Sequence, residues 1–343
     1  MHIRRTIHIG LFFAWCVVVP CGIIHAQDIH FSQFTDAPFN LNPGLTGSFD
    51  ADIRAIANQR TQWRSVTVPY STIAVHGDAR SPVKKLPGLH LGFGLSNDIA
   101  GDSRLRTTSL NFLGAWTLKP ASDTRHTILP GAQLSLNFVG IDYGDLRYDS
   151  QWNGIFYDPN LPQESLYTRD SRFYPDLALG IVDQYADEAG WTLTSGVALY
   201  NLFVPGQSFF DITTTRLDPR VNLHSSAMIP LNQNMEILPA LMLSLQGKYR
   251  EIDLGANLNY ILVNERTVYR SIYGGLFFRA RDAGFIVAGM RYDDWKVGLS
   301  YDINTSNLKP ASNGRGGLEI SVTYLIRTYK EELQLRKLCP DFF

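Results

Sequence analysis

Histidine, cysteine and clustered carboxylates are where this 343-residue chain would carry chemistry. Beyond residue 26 the histidines are His30, His76, His90, His126 and His224. None has the His-Glu-x-x-His spacing that puts two imidazoles on one helical face around zinc. A lone histidine such as His90 reads as a hydrogen-bonded structural residue. Cys16 and Cys21 fall in the leading segment, so Cys339 stands alone as a free thiol or a link to another chain. No Gly-x-Ser-x-Gly elbow is present, and Gly314-Arg315-Gly316-Gly317 reads as a turn before the last strand, not a phosphate loop. The acidic runs Asp183–Glu188 and Tyr292-Asp293-Asp294 could attract a cation but read as exposed connections between strands. A Ser/His pair assembled from distant positions is compatible with this pattern. The reading is nevertheless a non-enzymatic chain with no catalytic residue, cofactor or metal.

Whatever positions these residues is all-β. Hydrophobic residues make up 45% and charged residues 18%, too apolar for a disordered chain. Mean hydropathy is -0.09, too polar for a bundle of membrane helices. The 31 basic residues nearly match the 32 acidic ones, which argues against a nucleic-acid partner. Residues 1–26 read as a cleaved secretory signal. Arg4 and Arg5 precede the apolar run Leu11–Val19, Pro20 and Gly22 break it, and Ala26 offers a cleavage site before Gln27. Loss of the two arginines leaves 29 basic residues against 32 acidic ones, a net charge of -3.

Beyond the signal, apolar and polar residues alternate with period two. Trp295, Val297, Leu299, Tyr301 and Ile303 share one face, and Lys296, Gly298, Ser300, Asp302 and Asn304 the other. Leu318, Ile320, Val322 and Tyr324 alternate with Glu319, Ser321 and Thr323, and Leu134, Leu136 and Phe138 with Gln133, Ser135 and Asn137. That is the pleat of strands with one apolar and one polar face. About fourteen such segments lie between 51 and 326, most with short polar connections but with long ones at 141–173 and 203–219. Short turns at one rim and long loops at the other describe an antiparallel outer-membrane β-barrel, apolar face to lipid and polar face to the lumen. Trp and Tyr near strand ends suit the membrane interface. A soluble sandwich would also alternate, with fewer and shorter strands.

The mature N-terminus reads Gln27-Asp28-Ile29-His30-Phe31-Ser32-Gln33-Phe34, then Pro38, then Leu41-Asn42-Pro43-Gly44-Leu45-Thr46-Gly47, then Arg60-Thr61-Gln62-Trp63. This order resembles the opening of the PorP/SprF family of outer-membrane proteins of type IX secretion and gliding motility. Val297–Asp302, Gly317–Tyr324 and the terminal Cys339-Pro340-Asp341-Phe342-Phe343 are similar to that family's last strands and ending, with Leu318 where the family usually has His. The resemblance implies an integral outer-membrane component that helps export, or holds at the surface, a secreted protein with a C-terminal sorting domain. It also implies partners in the periplasmic ring components and a peptidoglycan-associated protein.

Candidate structural or partner-contact residues follow: Phe31, Ser32, Gln33, Asn42, Pro43, Gly47, Arg60, Trp63, Cys339, Pro340, Phe342 and Phe343. Asn42-Pro43-Gly44 is a turn signal, and Gly47 could close a second turn. Residues 27–50 alternate too poorly for a membrane strand and are expected in the lumen or across the periplasmic mouth. Arg60 could pair with a lumen carboxylate, and Trp63 could lie at the interface. The mixed-charge tail 327–343 is expected in the periplasm, either docking a partner through Phe342 and Phe343 or capping the barrel mouth.

Overall fold

A computed structural model describes residues 30–62, 68–101, 103–119, 125–144, 146–162, 169–209, 216–265, 268–306 and 314–327. The signal segment, Trp63 and the tail motif at Cys339, Pro340, Phe342 and Phe343 lie outside the described residues. The strands are β1 Ile53–Gln62, β2 Tyr70–Arg80, β3 Leu89–Ala100, β4 Leu105–Trp116, β5 His126–Gly140, β6 Ser171–Ala186, β7 Thr192–Tyr200, β8 Arg220–Asn232, β9 Met235–Gln246, β10 Tyr249–Asn264, β11 Tyr269–Arg279, β12 Ala283–Tyr292, β13 Trp295–Asn304 and β14 Arg315–Ile326. Each pairs antiparallel with its sequence neighbours, and β1 closes on β14 from Ile53↔Ile326 to Thr61↔Leu318. Closure leaves no first or last edge unpaired, the condition for a sheet in hydrocarbon.

Burial follows the alternation. In β2, Ile73 and Val75 are about half exposed on the outside, while Ala74 and His76 are buried inside. Leu276 of β11, 69% exposed and followed by the buried Phe277, is the clearest lipid-facing side chain. The inside carries Asn58, Arg60, Asp78, Asn111, Asn137, Asn222, Asp253, Asp302 and Glu319, all buried. Two expectations change. Asp183 to Ala186 are not a connection but the end of β6, where Asp183 meets the His126 Nδ1 at 2.9 Å. Gly316 and Gly317 likewise belong to β14. The lumen is also not uniformly polar, because Leu129, Val182, Met242, Phe277, Phe285 and Val287 point into it as one apolar cluster.

Nearest-neighbour topology places alternate connections on opposite rims. Connections 141–170 and 201–219 follow β5 and β7 and so share a rim, called here the long-loop rim. The chain enters β1 and leaves β14 at the other, the terminal rim. Tight turns there include Asp293-Asp294, where Asp293 takes φ 53°, the left-handed angle of two-residue hairpins.

Candidate functional site

The segment before β1 is not strand. It forms short helical turns at Phe34–Asp36, Pro38–Leu41 and Pro43–Leu45, and nearly all of residues 31–47 are buried. Its partners are inward side chains from around the wall, so it crosses the lumen. Phe34, Leu41 and Leu45 complete the inward apolar cluster, with the Phe34 ring edge-on to Phe277 at 6.2 Å. Phe39 packs with Ile56 and Leu113, and Phe31 with Ala37 and Ala74. A cavity of ≈ 30 Å³ remains between segment and wall, beside Phe31, Leu41, Asn222, Met242, Tyr249 and Glu251. That is the room of a water molecule or two.

Near the long-loop rim the segment is held by charge. Ser32 N–H donates to Glu319 Oε2 at 2.7 Å and Gln33 N–H to Glu319 Oε1 at 3.0 Å, so one carboxylate takes two consecutive backbone donors. Ser32 Oγ donates to Asp302 at 2.7 Å. Arg60 pairs with Asp302 at 2.7 Å and Glu319 at 3.0 Å, and also touches Ser32 Oγ. Arg60 and Glu319 are direct cross-strand partners on β1 and β14, so this cluster also ties the first strand to the last. Arg279 of β11 extends it to Asp253 at 3.1 Å, Glu251 at 3.2 Å, Asp302 at 3.2 Å and Ser32 at 3.1 Å. Buried charges persist only when paired and hydrogen-bonded, and here each guanidinium meets at least two carboxylates.

Toward the other side of the lumen the segment is held by fit. Asn42, fully buried, accepts from Gly44 N–H at 2.8 Å and donates through Nδ2 to the carbonyls of Ile181 and Val197, each at 3.1 Å. The wall has glycine where this Asn-Pro-Gly turn presses. A Cβ on Gly131 of β5 would lie 2.6 Å from the Pro43 carbonyl carbon, and one on Gly196 of β7 would lie 2.7 Å from Asn42 Nδ2. Gly47 has φ 75°, and its N–H donates to Asp78 Oδ2 at 2.8 Å. Arg54 grips Asp78 with two donors, at 3.0 and 2.8 Å, and reaches Leu45 C=O at 3.1 Å. The Ser48 hydroxyl accepts from Gln184 at 2.8 Å.

Six motif residues of the sequence therefore meet at these anchors: Ser32, Gln33 and Arg60 at the first, and Asn42, Pro43 and Gly47 at the second. Phe31 sits beside the first anchor. The wall partners Asp302, Glu319, Arg279, Asp253 and Asp78 are not among the sequence candidates, although Asp302 and Glu319 lie on the polar faces of their alternating segments. A charged residue in mid-pleat on a polar face is the signal that would have found them. Among the described residues no group of three or more His, Cys, Asp or Glu is arranged to hold a metal ion.

The family model described as type IX secretion system membrane protein PorP/SprF matches residues 23–324. The chain belongs to the PorP/SprF family. Among curated proteins, none matches this sequence. Among solved structures, the Pseudomonas putida toluene transporter TodX shares 11% identity at a TM-score of 0.51, over 84% of this chain and 92% of that one. The CymD monoaromatic hydrocarbon channel shares 10% identity at a TM-score of 0.44, over 90% of this chain and 96% of that one, too loose to argue from. These identities speak to fold alone. Family and barrel together make this PorP/SprF protein an integral outer-membrane component of type IX secretion.

Proposed function

We propose that this PorP/SprF protein is a plugged adaptor: a non-enzymatic barrel that holds or helps export a secreted protein with a C-terminal sorting domain. Periplasmic ring components and a peptidoglycan-associated protein contact the terminal rim, where the tail 327–343 begins. The long-loop rim faces outward, since outer-membrane barrels carry their longer loops outside. One observation supports the reading: the segment before β1 is buried against inward side chains of the wall and tied to it at two separate anchors, by buried ion pairs and by close packing. A lumen so occupied works as a scaffold, and its free surfaces for partners are the rims.

Native purification from outer membranes tests the adaptor reading. Secretion components and a surface protein should co-purify, and recovery of neither would sink it. A second reading, a diffusion channel, is favoured by the fold shared with the toluene transporter. Planar-bilayer recordings separate the two: the plugged barrel should pass no steady current, whereas stable ohmic conductance of the intact chain supports the channel.

A further inference from the structure

The wall has a discontinuity at the long-loop rim. β6 pairs with β5 from Ser171 to Tyr185, but with β7 only from Leu179 to Ala186, because β7 stops at Tyr200. Among the described residues, Ser171–Ala178 therefore have a strand on one side and none on the other. In an antiparallel ladder the N–H and C=O of one residue point to the same neighbour, and successive residues alternate. Ala186 N–H donates to Arg125 C=O on the β5 side, and Leu202 N–H donates to Leu177 C=O on the other. Even-numbered residues of β6 thus serve β5, and Ser171, Phe173 and Pro175 turn their main-chain groups toward the vacant side.

Among the described residues, the chain after β7 covers only the start of this edge. Leu202 meets Leu177, and the buried Asp176 carboxylate accepts from Asn201 N–H at 3.0 Å and Phe203 N–H at 3.3 Å. The backbone then bends at Val204, with φ 47°, an angle β-branched residues rarely adopt. Farther along, Arg172, which shares the lumen face of β6 with Asp176, holds Ser208 C=O, so the connection passes on the lumen side. Outside, the exposed rings of Phe138 and Phe173 lie 4.9 Å apart beside Arg106 and Thr108, at a shallow hollow of ≈ 350 Å³. An open edge is a template for another chain, and lipid cannot satisfy it. Pro175 blunts this one at a single N–H.

We propose that Ser171–Pro175 is the edge to which the secreted cargo adds one extended strand. The proposal rests on the adaptor reading above. The edge lies on the rim of the long loops, and main-chain groups on three alternate residues call for another main chain, not a side chain or a small solute. The exposed Phe173 ring, on the strand that borders the open side, offers an apolar neighbour for that strand's outward side chains.

Phe173→Pro removes the donor facing the vacant side and leaves the β5 ladder intact, while Phe173→Ala removes the ring and keeps the donor. Each variant is expressed as the cell's only copy, folding is followed by heat-modifiable migration, and cargo is counted by antibody on intact cells. Phe173→Pro should lower displayed cargo about tenfold, and Phe173→Ala less. A folded Phe173→Pro barrel displaying as much cargo as Phe173→Ala overturns the assignment. A photo-crosslinker at Ser171 gives a second readout that does not depend on proline: adducts with cargo support the edge, and their absence in cargo-displaying cells counts against it. Cells lacking the chain separate the two ideas. If they keep cargo at the surface, the adaptor reading fails; if they lose it while Phe173→Pro keeps it, only the edge does.

Discussion

The two anchors of the lumen segment hold it by opposite means. At Ser32-Gln33 the wall supplies charge: two guanidiniums and four carboxylates on β1, β10, β11, β13 and β14 surround a backbone turn and a hydroxyl. At Asn42-Pro43-Gly44 the wall supplies absence, with glycine at 131, 180 and 196 so that a turn can lie against bare backbone. The first anchor also joins the first strand to the last, and the second touches only strands already paired in sequence. Clustered charge sits where the barrel must close, and bare backbone where the Asn-Pro-Gly turn must seat, with the single Arg54–Asp78 pair holding Leu45 and Gly47 beyond it.

Breaking the first anchor should cost most. Arg60→Ala leaves Asp302 and Glu319 buried with one fewer cation, and should destabilise the folded barrel by about 3–5 kcal/mol in urea unfolding from lipid vesicles. Arg60→Lys keeps the charge without the fork and should lose less. Gly131→Val would push side-chain atoms into the Pro43 carbonyl. It should cost about 1–3 kcal/mol and unseat the segment before the wall, read as flickering conductance in a barrel that still migrates as folded. Asn42→Ala deletes the donors to Ile181 and Val197 and the acceptor of Gly44 N–H, for about 1–3 kcal/mol in the same unfolding assay. Among the described residues Arg60 and Asn42 share no hydrogen-bond partner, so Arg60→Ala combined with Asn42→Ala should be additive to within about 0.5 kcal/mol. A larger coupling would show that the segment moves as one body between them. The smallest effect should come from salt. Buried pairs are weakly screened, so raising ionic strength should leave the Arg60→Ala penalty nearly unchanged, whereas a strong salt dependence would place the cluster in open water.

Much of this architecture was legible because a pleat is local. In 295–304 every second residue is apolar, and that segment is β13. Where both faces are apolar the signal vanishes. Leu276-Phe277-Phe278 and Phe285-Ile286-Val287 read as continuous apolar runs, and only the closed wall shows that Phe277, Phe285 and Val287 turn inward to meet Phe34. The motif at Ser32-Gln33 was visible as a motif, but its carboxylate partner Glu319 stands 287 residues along the chain for Ser32. No local pattern relates positions so far apart.

Period, turn residues and motif order by themselves determined an antiparallel barrel of about fourteen strands, its polar and apolar faces, and a leading segment unfit to be a strand. These follow from side-chain direction and backbone angles within a few residues. The tertiary structure alone decided that Arg60 stands opposite Glu319 at the closing seam, that glycines of β5, β6 and β7 gather beneath Asn42, and that β7 ends before it covers β6. Each depends on strand register, which closure of the whole sheet sets.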